Sequence, residues 1–97
     1  MTLIKVSNVS RTASVAGAIT GMVREQHRAE VQAIGAGAVN QAINALALAT
    51  GYLKLDGIRV FFVPEFTDVT IDDNVRTAIK LIVEPAGSPD IPDVSST

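Results

Sequence analysis

The residues from Val75 to Glu84 carry the strongest strand signal in this sequence, and every arrangement of the remaining elements has to accommodate it. Apolar residues recur there at every second position, namely at Ile79, Leu81 and Val83. This period of two places those side chains on one face of a strand. The segment is therefore predicted to be a strand in the centre of a sheet.

Three other segments have the alternating, β-branched composition of strands. They are residues 3–7, 30–34 and 58–63. Pro64 follows the third, and a proline cannot donate a hydrogen bond to a neighbouring strand, so that strand is expected to lie at a sheet edge or to end near Pro64. Residues 65–74 are predicted to form a long hairpin arm, because the segment ends in two aspartates and an asparagine, which favour turns.

A first helix is predicted between the first two strands. Its apolar residues recur at helical spacing, and they are Val15, Ile19, Met22 and Val23. Ser14 precedes them and is the candidate N-cap, since a serine hydroxyl accepts a hydrogen bond from a free N–H at the start of a helix. Gly17 and Gly21 each lower helix propensity by about 1 kcal/mol, so we expect them to permit close approach of another backbone.

A second helix is predicted from about Gly37 to Thr50, with Gly51 just past its end in the left-handed conformation. Its core stripe consists of Val39, Ala42, Ile43, Leu46 and Ala49. A polar strip without charge runs beside that stripe, and it consists of Asn40, Gln41 and Asn44. The strip either binds a partner or lines a hydrated helix face.

The predicted order of elements is βαβαββ, which indicates an α+β fold in a single domain over residues 1–85. Short right-handed connections place both helices on one face of a four-stranded mixed sheet. The result is a two-layer sandwich whose other sheet face is open to water or to a partner. Residues 86–97 are rich in Pro, Gly, Ser and Asp and are predicted to form a flexible C-terminal tail.

The composition excludes several classes of function. The chain has no cysteine and one histidine, which leaves no disulfide, no thiolate zinc site and little basis for histidine catalysis. We therefore expect no metal and no cofactor, and no nucleophile–base pair of an enzyme is recognisable. The lack of cysteine fits a cytoplasmic protein, and no apolar run reaches the roughly 18 residues of a membrane span.

Charge is distributed unevenly, although the net charge is only −2. Residues 1–35 carry four basic against two acidic side chains, whereas residues 36–85 carry four basic against six acidic ones. This balance is not that of a strongly basic nucleic-acid-binding protein. Any attraction for phosphate groups therefore has to come from a local patch of cations.

Four separated segments carry a family likeness, in this order along the chain: Ser14–Gly17, Ala33–Ala42, Pro64–Asp68 and Thr77–Pro85. Because of these four segments, the chain resembles the bacterial stage V sporulation protein S family from about residue 3 to residue 85. That family is similar in turn to the Alba chromatin proteins, which share the order βαβαββ. In the Alba-like fold the last strand lies antiparallel between the second and the third.

The resemblance implies a non-enzymatic regulator associated with sporulation, which binds DNA or RNA as a homodimer or a higher homo-oligomer and involves no membrane. Alba-like proteins bind through the loop after the first strand, the start of the second helix and the long final hairpin. The candidate nucleic-acid-binding residues of this chain are those at or near these positions: Ser10, Arg11, Thr12, Gly35, Gly37, Asn40, Gln41, Asn44 and Arg76.

Alternative interpretations stay open at these positions. Arg11 stands where Alba proteins have paired lysines, and it is either a binding residue or a solubilising charge. The Gly35–Gly37 segment either binds an anion at the start of a helix or forms a tight turn. Lys5, Lys80 and Arg59, expected on the open sheet face, either follow a nucleic-acid backbone or are simply solvated. The alternative function is an oligomeric protein–protein interaction module without nucleic-acid binding.

Overall fold

A computed structural model describes residues 3–86 of the chain. The elements, in chain order, are β1 (Leu3–Val6), α1 (Thr12–Gln26), β2 (Ala29–Ala33), α2 (Ala36–Leu55), β3 (Val60–Ile71) and β4 (Asn74–Pro85). This is the predicted order βαβαββ. The tail predicted for residues 86–97 lies, beyond Ala86, outside the described residues.

The four strands form one mixed sheet with the spatial order β1-β2-β4-β3. β1 and β2 are parallel, whereas β4 runs antiparallel to both of its neighbours, β2 and β3. The central position predicted for the last strand is thus confirmed. Pro64 lies within β3, which forms an edge of the sheet, as the missing N–H of a proline requires.

The core lies between the helices and one face of this sheet. Both helices contact each other and the strands β1 and β2, so they cover the same face, as predicted. Ile19 of α1, Leu46 of α2, Val31 of β2 and Val83 of β4 are among the side chains that are fully buried there. Burial of a side chain of this size stabilises the fold by about 1.5–3 kcal/mol.

The start of α1 differs from the prediction. The helix begins at Thr12, and its N-cap is Arg11, which has extended backbone and no capping side-chain hydrogen bond. Ser14 is not the N-cap, because it lies inside the first turn and is exposed. Instead, the Ser7 N–H donates to the hydroxyl of Ser10 at 2.9 Å, and this turn directs the chain into the helix early.

The end of α2 also differs from the prediction. The helix continues past Thr50 to Leu55, because Leu53 is fully buried and the extra turn is needed to place it in the core. Gly51 is therefore an exposed residue inside the helix. The left-handed glycine is Gly57, with φ 76°, in the turn that leads to β3.

The close backbone approach expected at Gly17 and Gly21 is not observed. A Cβ atom at either position would have no other part of the described chain within 4 Å. Gly17 is exposed and Gly21 is half-buried, so both lie away from the contact between the helices. The prediction was wrong because helical spacing alone does not show which side of a helix meets its neighbour.

The hairpin of β3 and β4 extends well beyond the rest of the sheet. Each of its strands has twelve residues, whereas β2 pairs with β4 only from Ile79 to Val83. At the tip, Asp72 and Asp73 have φ of 51° and 66°. Two successive residues with positive φ form the two-residue turn whose twist matches that of the paired strands. The described chain is consequently elongated, measuring 48 × 25 × 23 Å.

Replacing Leu46 by alanine is expected to lower the free energy of unfolding by about 2–5 kcal/mol, because the lost side chain leaves a cavity in the core. Leu55→Ala is the matched control. It removes the same atoms from a residue that is 87% exposed, so its effect should stay within about 0.5 kcal/mol. Urea denaturation followed by far-UV circular dichroism measures both variants, and equal losses would contradict this location of the core.

Candidate nucleic-acid interface

A groove of about 670 Å³ lies at the end of the sheet where β1 and β2 finish. Three parts of the chain form its walls: the end of β1 with the loop that follows it, the end of β2 with the start of α2, and residues 69–71 of the hairpin. The outer part of the hairpin has no partner in β2, and its residues 69–71 line the groove together with residues of β1 and β2. The three segments expected to bind nucleic acid thus surround one groove.

Polar and apolar side chains both line this groove. Lys5 and Gln32 are neighbours in the register of β1 and β2, and both lie on the sheet face away from the helices, which we call the open face. Ile34 and Ile71 add apolar walls from β2's end and from the hairpin. Among the described residues that line the groove, Lys5 carries the charge and none is acidic.

The start of α2 is packed tightly against the loop after β1. Gly35 is the N-cap, with φ 90°, and it offers no side chain to the free N–H groups of the first turn. A Cβ atom at Gly37 would lie 3.0 Å from Cβ of Asn8, so a larger residue would push the loop outward. Both glycines line the groove, so the segment turns the chain into α2 at the groove wall.

Gln41 connects α2 to the same loop. Its Nε2 donates a hydrogen bond to the carbonyl oxygen of Ser10 at 2.7 Å and approaches Oγ1 of Thr12 at 3.5 Å. Three of the candidate residues are thereby brought together. The amide of Gln41 holds the loop in place, whereas Asn40 and Asn44 are exposed on α2.

The remaining two candidates are exposed cations. Arg11 lies at the N-cap of α1, beside the loop that Gln41 holds. Arg76 lies on β4 directly opposite Val69, which lines the groove. Within residues 3–86, neither arginine forms an ion pair, and nor does Lys5. Lys5 thus lies in the groove wall and Arg76 lies beside it, whereas Arg11 is not among the residues that line the groove.

Other cations of the open face are neutralised by an ion-pair network in its centre. Arg28 donates to Glu30 at 2.9 Å and to Glu84 at 2.7 Å, and Nζ of Lys80 lies 3.5 Å from Glu30. Lys80 is therefore paired, which argues against its following a nucleic-acid backbone. Arg28 and Glu30 are two residues apart, so the sequence alone could have indicated an ion pair between them. Their contacts with Glu84 and Lys80 depend on the register between β2 and β4, which the sequence does not show.

The network changes the titration of its members. The hydrogen bonds from Arg28, together with the charge of Lys80, hold the pKa of Glu30 below its ordinary value of 4.5, although burial acts in the opposite direction. The same hydrogen bonds raise the pKa of Arg28. Glu30 is consequently ionised and balanced at neutral pH, and the centre of the open face carries little unpaired charge.

A family model described as Stage V sporulation protein S (SpoVS) matches residues 2–86 of the chain. The matched region includes every element of the fold and every side chain that lines the groove. Neither described helix combines the length and the apolar character that crossing a bilayer requires.

Replacing Glu30 by glutamine is expected to destabilise the protein near neutral pH and to flatten its pH dependence. Because the pKa of Glu30 is lowered in the folded state, the ionised carboxylate stabilises fully above pH 4.5, and this contribution disappears as the pH falls through the lowered pKa. The native protein and the variant should therefore differ above pH 4.5 and converge below it.

Urea denaturation at a series of pH values measures this difference. Glu25→Gln is the matched control, since Glu25 is exposed on α1 and forms no ion pair with any described residue. A constant difference between Glu30→Gln and the native protein at all pH values would show that the ionised carboxylate is not the stabilising group.

Proposed function

The chain belongs to the Stage V sporulation protein S family, a sporulation-associated family, and we propose that it acts as a non-enzymatic regulator that binds nucleic acid as a dimer. The convergence of three segments on one groove carries this proposal. The loop after β1, the start of α2 and the hairpin come from distant parts of the sequence, yet all three line the same surface. These are the segments with which Alba-like proteins contact nucleic acid.

The charges around the groove support binding of a polyanion. Lys5 lies in the wall, Arg11 lies beside the loop after β1, and Arg76 lies on the hairpin. The first turn of α2 adds backbone N–H groups, which favour an anion in the same way. Because the charges are few, the affinity should be modest and should fall as the salt concentration rises.

The chemistry of the walls supports the proposal of a regulatory rather than a catalytic role. Hydrolysis by an enzyme requires a nucleophile with a base beside it, or a metal that activates water. The ionisable side chain that lines the groove in residues 3–86 is a lysine, flanked by amides, hydroxyls and aliphatic groups. This set of side chains suits binding of a ligand. The absence of cysteine from the chain supports a cytoplasmic location for the protein.

The removal of one arginine side chain should weaken nucleic-acid binding measurably. Arg11→Ala and Arg76→Ala are each expected to lower affinity about three- to tenfold and to reduce the slope of log affinity against log salt concentration by about 1, since each removes one phosphate contact. Fluorescence anisotropy with labelled DNA and RNA oligonucleotides at several salt concentrations measures both effects.

Arg59→Ala is the matched control for this experiment. Arg59 is exposed, forms no ion pair in the described part of the chain, and lies at the opposite end of β3 from the hairpin tip. Its replacement should leave the affinity unchanged. Failure of the native protein to bind either DNA or RNA at micromolar concentration and low salt would overturn the proposed function.

The surface of β3 favours self-association, which also fits the second candidate function, an interaction module without nucleic-acid binding. Phe62 and Phe66 point to the same side of this edge strand and are 38% and 79% exposed. Phe61 and Val63 are exposed on the other side. Exposed aromatic clusters of this kind mark protein–protein contacts, and a second copy of the chain is the partner that we propose.

Replacing Phe66 by serine should shift the protein from dimer to monomer, because it removes the most exposed aromatic group of β3. Sedimentation equilibrium measures the dissociation constant, which is expected to rise about tenfold or more. Val9→Ser is the control, since Val9 is 82% exposed but lies in the loop after β1. A native protein that is monomeric at every accessible concentration would contradict the dimer.

A further inference from the structure

The walls of the groove are more apolar than contact with phosphates alone would require. Leu3 and Ile34 line it from the sheet, and Val69 and Ile71 line it from the hairpin. Its volume of about 670 Å³ is in the range of pockets that enclose small organic molecules. A cleft between aliphatic side chains accepts a flat, apolar ring face, as sites for unstacked nucleobases do.

Polar groups in the groove are suited to the edge of a base. Gln32 and Asn8 both line it, and a carboxamide offers donors and an acceptor together. Lys5 is the cross-strand neighbour of Gln32 and places one positive charge within the same groove. One cation beside amides and aliphatic walls matches one phosphate attached to one base.

The surroundings of the groove do not suit a long double-stranded backbone. Duplex binding relies on many phosphate contacts, which require a row of unpaired cations. On the open face, Arg28 and Lys80 are instead paired with Glu30 or Glu84. The hairpin carries three exposed aspartates, at positions 68, 72 and 73, which would repel any long phosphate backbone lying along it.

We propose that the groove receives an unpaired nucleotide, with its base between the aliphatic walls and its phosphate at Lys5, so that the protein selects single-stranded over double-stranded nucleic acid. This inference rests on the proposed nucleic-acid binding and specifies the ligand of the same site. A paired base is stacked within its duplex and does not present its ring faces to the walls. An unpaired base presents both faces and its hydrogen-bonding edge.

The test compares the binding of a labelled single-stranded oligonucleotide with that of a base-paired stem-loop of matched length. Fluorescence anisotropy at low salt measures both, with DNA and with RNA. The single strand should bind at least about tenfold more tightly. Lys5→Gln and Gln32→Leu should each weaken single-strand binding about tenfold, as the loss of one phosphate or base contact does. Lys54→Gln, which alters an exposed lysine at the far end of α2, should have no effect.

A second measurement keeps the base contribution separate from the phosphate contribution. Adenosine and uridine 5′-monophosphates, titrated into the ¹⁵N-labelled native protein, should shift the amide resonances of Lys5, Gln32 and Gly37. Inorganic phosphate alone should shift Gln32 and the apolar walls much less. Equal shifts with phosphate and with nucleotide would show that no base enters the groove and would overturn the inference.

The outcomes also separate this inference from the proposed function. Equal or tighter binding of the duplex, or equal effects of Lys5→Gln and Lys54→Gln, would overturn the single-strand inference while nucleic-acid binding itself would stand. Binding of neither the single strand nor the duplex would overturn both. Far-UV circular dichroism of each variant establishes that a loss of binding does not come from unfolding.

Discussion

The insertion of β4 between β2 and β3 is the constraint on which the rest of the structure depends. β4 supplies buried side chains to the core and pairs with a short neighbour on one side and a long one on the other. This mismatch leaves the outer half of the hairpin without support from β2. Residues 69–71 of this outer half form a groove with residues of the two parallel strands, and the sheet thereby has a concave surface there.

Electrostatics determines which part of the open face remains available for a ligand. Glu30 is nearly buried and draws both Arg28 and Lys80 towards it, so the middle of the sheet is internally balanced. The cations left without a partner among residues 3–86 include Lys5 and Arg76, which lie in or next to the groove. A chain with a small negative net charge thus keeps local positive charge where its concave surface lies.

The sequence was sufficient for the architecture but not for the details of the groove. Strand alternation and the position of Pro64 predicted the sheet, because both depend on local chemistry. The end of α2 was missed because the burial of Leu53 decides it. The start of α1 was missed because the turn at Ser7 and Ser10 lets the helix begin before Ser14. The contribution of Lys5 to the groove depends on where the hairpin places residues 69–71, which are distant from Lys5 in the sequence.

Pro64 has a consequence for any self-association through β3. It lies in the middle of the exposed edge strand, where a further strand would require a donor at each alternate position. Since the proline supplies none, the β3 edge does not offer an unbroken row of main-chain donors to a further strand. The self-association proposed for β3 therefore has to rely on its exposed aromatic side chains, because main-chain pairing along this edge is interrupted at Pro64.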